Sequence, residues 1–293
     1  PRRRHRPHGT AEQNDNPDGA REAFLAALTH DPEDGEALQG LRRLAEASED
    51  WKAMVGVLAR EASIHTGADQ VERYAEIARL WQDKLEEPAV AADAWRKVLE
   101  LAPEDPEALE RLVGLSEANG DWAGFVQYSE GLSSHLEGAP RAALLGRIGV
   151  AYATHLRKED DALRFLEQAT AGEHPDLEAA RSLEQLRSSR GEWEQVVEAL
   201  SRQARALESE EAATVLLRAA RIRLNTLQSR EGAAELFDAA LKRQPDNNEA
   251  LRFLASWRYE RDDKSGAVEL FEELEKAAGT WDLDDFDERV EVA

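Results

Sequence analysis

One pattern of small and bulky residues recurs every 71 residues, and this strict period constrains the fold more than any other feature. The clearest copy is 91–103, AADAWRKVLELAP, where small and bulky residues mark one helical face and proline ends it. The matching positions of the four copies, in chain order, are Ala20, Phe24, Ala27, Leu28 and Pro32; Ala91, Trp95, Val98, Leu99 and Pro103; Ala162, Leu166 and Ala169; and Ala233, Phe237, Ala240, Leu241 and Pro245. Such a period is typical of a stacked array without a single closed core.

Other positions keep the same offset and divide each repeat into four helical patterns. The repeats cover about 35–105, 106–176 and 177–247, with partial copies at both ends. Short links between the patterns force neighbouring helices to pack antiparallel. The sequence therefore predicts an all-α array of about fifteen helices over 19–278. Among the register positions are Glu36, Glu107, Glu178 and Glu249; Leu41, Leu112, Leu183 and Leu254; and Trp51, Trp122 and Trp193.

The two ends of the chain differ from the repeats in composition. Residues 1–18 lack apolar periodicity and are rich in Pro, Arg and Asn, so we expect a disordered leader, followed by a helix through about His30. The tail 279–293 is acidic. Its apolar residues Leu283, Phe286 and Val290 are spaced for a short helix that either caps the array or docks elsewhere.

Composition excludes several classes of function. The formal net charge is −23, from 60 acidic and 37 basic residues among 293, so nucleic acid and anionic lipid are disfavoured as main partners. The chain has no cysteine, which excludes disulfides and thiolate chemistry but leaves the compartment open between cytoplasm, slightly favoured, and periplasm. No apolar run approaches the ~18 residues of a membrane-spanning helix.

The third and fourth helical patterns of each repeat resemble tetratricopeptide repeats (TPR). The match in the second repeat is carried by Leu145, Ile148, Gly149, Tyr152, Ala162, Leu166 and Ala169, with His174 in place of the closing proline. The spacing from Trp81 to Ala91 is one residue longer than is usual in that family. The first hairpin is a weaker match: 120–122 and 191–193 resemble the family's turn, but Arg42, Val113 and Glu184 replace its small residue.

This resemblance implies a right-handed superhelical solenoid of antiparallel hairpins. In such a solenoid the first helix of each hairpin lines a concave groove that holds extended or helical peptide segments. The fold alone does not define a process, because such repeats serve many unrelated ones.

No catalytic or cofactor motif is recognisable, and we predict neither enzymatic activity nor a bound cofactor or metal. The chain has no phosphate-binding glycine loop, nucleophile elbow or His-Glu-x-x-His motif. The only metal-like pair, His5 and His8, lies in the basic leader. The basic residues of this leader suggest binding to nucleic acid or anionic lipid, but so short an arm supplies few phosphate contacts, which favours a disordered leader. The tryptophan line at Trp51, Trp122 and Trp193 favours hairpin packing over a ligand-stacking ladder.

Charge is distributed unevenly over the predicted groove. In the C-terminal half the helices expected to face the groove are rich in arginine, whereas their companions carry acidic residues such as Glu159, Asp160, Asp161 and Glu235. The hypothesis is a basic groove for an acidic peptide or a C-terminal carboxylate. The alternative is Arg and Glu scattered over solvated faces. The candidate groove residues are Arg79, Arg147, Arg181, Arg218, Arg221, Arg252, Phe253 and Tyr259.

The predicted function is therefore a non-catalytic scaffold or adaptor that binds a protein or peptide in its groove. A regulatory or targeting segment of a larger enzyme is the first alternative. A nucleic-acid-binding helical repeat is the second, and the net charge disfavours it.

Overall fold

The computed structural model describes residues 16–172 and 174–278, and over these residues it contains fifteen α-helices and no strand. The prediction of about fifteen helices is confirmed. The helices are α1 Pro17–His30, α2 Gly35–Ala47, α3 Trp51–Ile64, α4 Ala68–Asp83, α5 Pro88–Leu101, α6 Pro106–Ala118, α7 Trp122–Ser133, α8 Gly138–Ala151, α9 Glu159–Ala171, α10 Leu177–Ser189, α11 Trp193–Arg205, α12 Ser209–Arg221, α13 Arg230–Leu241, α14 Asn248–Glu260 and α15 Lys264–Ala278.

The chain forms two compact units, residues 1–135 and 136–293. The N-terminal unit contains α1 to α7 and the C-terminal unit contains α8 to α15. In both units consecutive helices pair as hairpins, so α2, α4, α6, α8, α10, α12 and α14 are first helices and the helix after each is its second helix. Helix α1 packs against α2.

Two of the sequence predictions concern residues at the edges of the described range. Helix α1 begins at Pro17, where the Asn16 side chain accepts a hydrogen bond from Gly19 N, so Pro17 and Asp18 are helical and not part of the leader. The rest of the leader and the tail 279–293, with its capping or docking alternatives, lie outside the described residues.

A side-chain cap that recurs with the repeat starts the first helix of each first hairpin. The carboxylate of Asp34, Asp105 or Asp176 accepts a hydrogen bond from the N–H three residues later, at 3.2, 2.8 and 2.7 Å. Asn247 does the same for Ala250 at 3.2 Å. Each cap satisfies a donor that the helix leaves unpaired, typically worth ~1 kcal/mol.

The bulky position of the repeat lies at the centre of each core. Phe24, Trp95, Leu166 and Phe237 are at most 2% exposed, as the sequence pattern predicts. Trp95 also donates its indole N–H to Gln82 Oε1 at 3.1 Å. The pattern weakens at the last hairpin: Val126 and Val197 are buried, whereas their counterpart Val268 is 54% exposed.

Two kinds of turn alternate along the array. Within the first hairpins the turn residue is left-handed at Glu49, Gly120, Gly191 and Asp262, with φ between 52° and 70°. Within the second hairpins the left-handed residue is Glu86, Arg157 or Gln228. Before the last two of these, the first helix widens into π turns at Tyr152–Leu156 and Ile222–Thr226. The bond from Leu85 N to Leu80 O at 3.0 Å gives α4 a similar end. This widening absorbs the extra residue seen in the sequence.

The left-handed turns predict opposite effects of two substitutions at equivalent positions. Gly120→Ala should destabilise the fold by about 1 kcal/mol, because a Cβ disfavours φ of 69°. Glu49→Gly should stabilise it by a comparable or smaller amount, since it removes the same penalty at φ of 52°. Thermal unfolding followed by circular dichroism measures both. Equal shifts of the same sign would contradict the explanation.

Candidate protein-interaction face

The first helices of the C-terminal unit form a continuous row, whose exposed side chains we call the first-helix face. At Gly146 in α8 a Cβ would lie 3.1 Å from the Cβ of Ala179 in α10, so the two helices touch there. Arg218 in α12 is ion-paired with Glu184 in α10. Arg221 in α12 donates from Nε to Glu249 Oε1 in α14 at 2.7 Å. These contacts place α8, α10, α12 and α14 side by side.

The two sides of the hairpins in this unit differ in charge. The first helices, with their π turns, contain nine arginines and six glutamates. The second helices α9, α11, α13 and α15 contain six basic and thirteen acidic residues. The C-terminal unit therefore carries a basic side and an acidic side, although the whole chain is acidic.

The N-terminal unit has the opposite balance. Its first helices α2, α4 and α6 contain five arginines and nine acidic residues. The basic first-helix face is thus a property of the C-terminal unit, and the predicted residue Arg79 lies in acidic surroundings.

Arg79 bridges two first helices in the N-terminal unit. Its Nε and Nη2 donate to the two carboxylate oxygens of Glu107 in α6 at 2.9 and 2.5 Å, and Nη1 donates to Glu72 at 3.0 Å. Donating these hydrogen bonds to Glu107 raises the pKa of Arg79, and accepting them from Arg79 lowers the pKa of Glu107. Arg79 is therefore a connecting residue of the array.

Arg221 repeats this bridge in the C-terminal unit. Its guanidinium binds both carboxylate oxygens of Glu249, and this hydrogen bonding raises the pKa of Arg221. The side chains of Arg221 and Arg218 are still 54% and 48% exposed. Since a guanidinium has five N–H donors, both arginines keep donors that face solvent.

The other predicted residues divide between the surface and the packed interior. Arg147, Arg181 and Arg252 are exposed on α8, α10 and α14. Arg181 makes no ion pair or side-chain hydrogen bond with any other residue of the described ranges. Tyr259 is 50% exposed. Phe253 is half-buried with its ring centroid 4.5 Å from that of Phe237, so it is mainly a packing residue.

The structure gives partners to glutamates that the sequence marked only as positions of the repeat. Glu107 and Glu249 lie in the first turn of their helices, but each also accepts hydrogen bonds from an arginine 28 residues earlier. Glu184 is a third partner, for Arg218. The recurring separation of Arg79 from Glu107 and of Arg221 from Glu249 in one register was the signal that could have revealed these bridges.

A cleft of about 490 Å³ in the N-terminal unit was also missed. It lies between α2 and α3, where Leu38 and Ile64 provide apolar wall and Arg42, Glu61 and His65 provide charge. Arg42 is held by Glu61 at 3.0 Å and by Glu76 at 2.7 Å. The cleft therefore carries charges of both signs that pair with each other, unlike the first-helix face.

The described residues contain no group of three or more His, Cys, Asp or Glu side chains arranged to hold a metal ion. None of their helices has the length and apolar character needed to cross a membrane. The His5 and His8 pair and the basic leader lie outside them.

The tandem hairpins, their buried repeat positions and their alternating turns define a TPR-like helical-repeat protein. No family model and no curated protein matches the chain. Several solved structures are similar to it at low sequence identity. One is YrrB, described as a TPR protein with an unusual peptide-binding site, at 19% identity over 80% of this chain and 98% of that one, with a TM-score of 0.38.

Two further matches are of the same kind. PilF of Pseudomonas aeruginosa is 16% identical over 82% of this chain and 99% of its own, with a TM-score of 0.36. The structure of Naa15/Naa10 bound to HypK-THB matches at 17% identity and a TM-score of 0.46, over 93% of this chain but only 42% of that one. The function proposed below therefore rests on the residues of this chain.

Proposed function

We propose that this chain is a non-catalytic interaction scaffold, and that the first-helix face of its C-terminal unit binds an acidic segment or a free C-terminal carboxylate of a partner protein. The observation that carries the proposal is the excess of nine arginines over six glutamates in the first helices of that unit, against an acidic excess in the second helices of the same hairpins. A row of adjacent helices presents the exposed ones among these arginines over the length of an extended peptide.

The available donors suit a carboxylate ligand. Arg181 is exposed and unpaired within the described residues. Arg221 uses Nε and Nη2 to bind Glu249 and keeps further N–H donors for a ligand. Hydrogen bonds between guanidinium and carboxylate are charge-assisted and can be bidentate, which gives orientation as well as affinity. An acidic partner is attracted locally to this face although the whole chain has a charge of −23.

The direct test reverses two exposed charges on the first-helix face. Arg147→Glu combined with Arg181→Glu should weaken binding of a fluorescently labelled glutamate-rich peptide by roughly tenfold at low ionic strength. Fluorescence anisotropy measures the affinity. Peptides with a free and an amidated C-terminus separate recognition of the terminal carboxylate from recognition of the side chains. Added salt should weaken binding to wild type.

A matched control comes from the opposite side of the hairpins. Arg205 is exposed on the second helix α11 and has no ion pair within the described residues, so Arg205→Glu makes the same charge change away from the face. Equal affinity in wild type and the double variant, or an equal loss in the control, would contradict the proposal. Tighter binding of labelled single-stranded RNA, lost in the double variant, would point to nucleic acid instead.

A further inference from the structure

Glu36, Glu107, Glu178 and Glu249 occupy one position of the repeat, and the last three, in the first turn of α6, α10 and α14, each follow an earlier first helix. In two of the three, the carboxylate is bound by an arginine from the preceding first helix. Arg79 Nε lies 2.9 Å from Glu107 Oε1, and Arg221 Nε lies 2.7 Å from Glu249 Oε1. Glu107 and Glu249 therefore serve the array internally.

The equivalent bridge is missing at Glu178. The position of Arg79 and Arg221 is occupied by Val150, whose side chain has no donor. Glu178 is exposed and makes no ion pair or side-chain hydrogen bond with any residue in 16–172 or 174–278. One substitution has thus left a carboxylate free at the surface.

Two arginines lie near this carboxylate, and the capping carboxylate of Asp176 precedes it by two residues. Arg181 follows it by one helical turn on α10, and Arg147 precedes Val150 on α8, which touches α10 near Ala179. A favourable position in the first turn explains why glutamate is tolerated at all three sites. That position is the same in Glu107 and Glu249, so it does not distinguish Glu178 from them. What distinguishes Glu178 is that Val150 stands where the other two copies have an arginine.

We infer that Glu178 is a specificity-determining residue of the first-helix face, and that it selects a partner segment that is acidic except for one basic residue opposite Glu178. This inference rests on the proposed function. A uniformly acidic segment would bring like charge against an unpaired carboxylate, whereas a lysine or arginine there turns that repulsion into attraction.

The test uses two labelled glutamate-rich peptides that differ only in a central lysine or glutamine. Preference is the ratio of the Kd of the glutamine peptide to that of the lysine peptide, compared between proteins at low ionic strength. Glu178→Gln should lower this ratio about threefold relative to wild type, the size of an exposed charge pair. Glu249→Gln is the matched control, because that carboxylate is already bound by Arg221, and it should leave the ratio unchanged.

Val150→Arg tests the same idea without altering Glu178. The new arginine should form the bridge seen at Arg79 and Arg221, which raises the melting temperature and lowers the preference ratio as Glu178→Gln does. Glu178→Lys should reverse the selection in favour of a peptide with glutamate at its centre.

The outcomes separate the two proposals. If wild type binds both peptides and Glu178→Gln leaves the ratio unchanged, the role of Glu178 is wrong and the proposed function stands. If the Val150→Arg variant has a raised melting temperature but keeps the preference ratio of wild type, the role of Glu178 is overturned equally. If wild type binds no glutamate-rich peptide, the proposed function fails and the inference fails with it.

Discussion

Replacing Trp95 by alanine should destabilise the N-terminal unit by about 3–5 kcal/mol. Trp95 is fully buried in α5, packs with Ala75, Ala78 and Leu112, and donates its indole N–H to Gln82. The truncation removes the largest buried side chain of that core and leaves a cavity that rigid helix backbones cannot close. Denaturant-induced unfolding followed by circular dichroism measures the loss.

Trp95→Phe is the matched control for this prediction. Phenylalanine is the natural residue at the equivalent buried positions Phe24 and Phe237, so the pocket geometry of the repeat accepts its ring. The cost should be clearly smaller than for alanine, because most of the apolar contact remains and only the indole hydrogen bond is lost. Equal destabilisation by both variants would contradict the account based on core volume.

Gly149→Val should destabilise the C-terminal unit by roughly 1–3 kcal/mol or more, through overpacking. A Cβ at Gly149 would lie 2.6 Å from Leu166 Cγ and 3.1 Å from the backbone nitrogen of Leu166. The side chain can rotate, but the backbone of α9 cannot move without disturbing the whole hairpin. Thermal unfolding of the variant measures the effect.

Gly114→Ala provides the control for a glycine in a first helix. A Cβ at Gly114 in α6 meets no atom within 4 Å. The substitution should therefore stabilise the chain, by up to about 1 kcal/mol, through helix propensity alone. If both glycine variants were neutral, close approach of α8 and α9 would not be the reason for glycine at 149.

The sequence predicted the helical array well because its information is periodic. Small and bulky residues in strict register, such as Ala91 with Trp95 and Ala162 with Leu166, fix which side of each helix is buried. The extra residue between Trp81 and Ala91 was visible, but its conformation was not. A π turn followed by a left-handed residue depends on backbone hydrogen bonds that side-chain patterns do not encode.

The candidate face was predicted less completely, for a reason specific to charged residues. Arg79, Arg218 and Arg221 were recognised as exposed arginines of the first helices, but each has a glutamate partner on a neighbouring helix, 28 or 34 residues away. An exposed arginine looks the same in sequence whether its charge is free or neutralised. Pairing across helices can be read only when the register of the repeat is applied to both members of the pair.

The close approach at Gly149 determines whether residues can be exchanged between the repeats. Its counterparts Ala78 and Ala220 are also fully buried, yet each has room for a methyl group. Those alanines belong to hairpins whose central residues are the aromatic Trp95 and Phe237, whereas Gly149 belongs to the hairpin of Leu166. The branched Cγ of Leu166 lies so close to Gly149 that a methyl group would not fit between them. Beside the aromatic rings of Trp95 and Phe237, the methyl groups of Ala78 and Ala220 do fit. The copies are therefore not interchangeable residue by residue, because the small residue of the first helix and the central residue of the second helix fit each other within one hairpin.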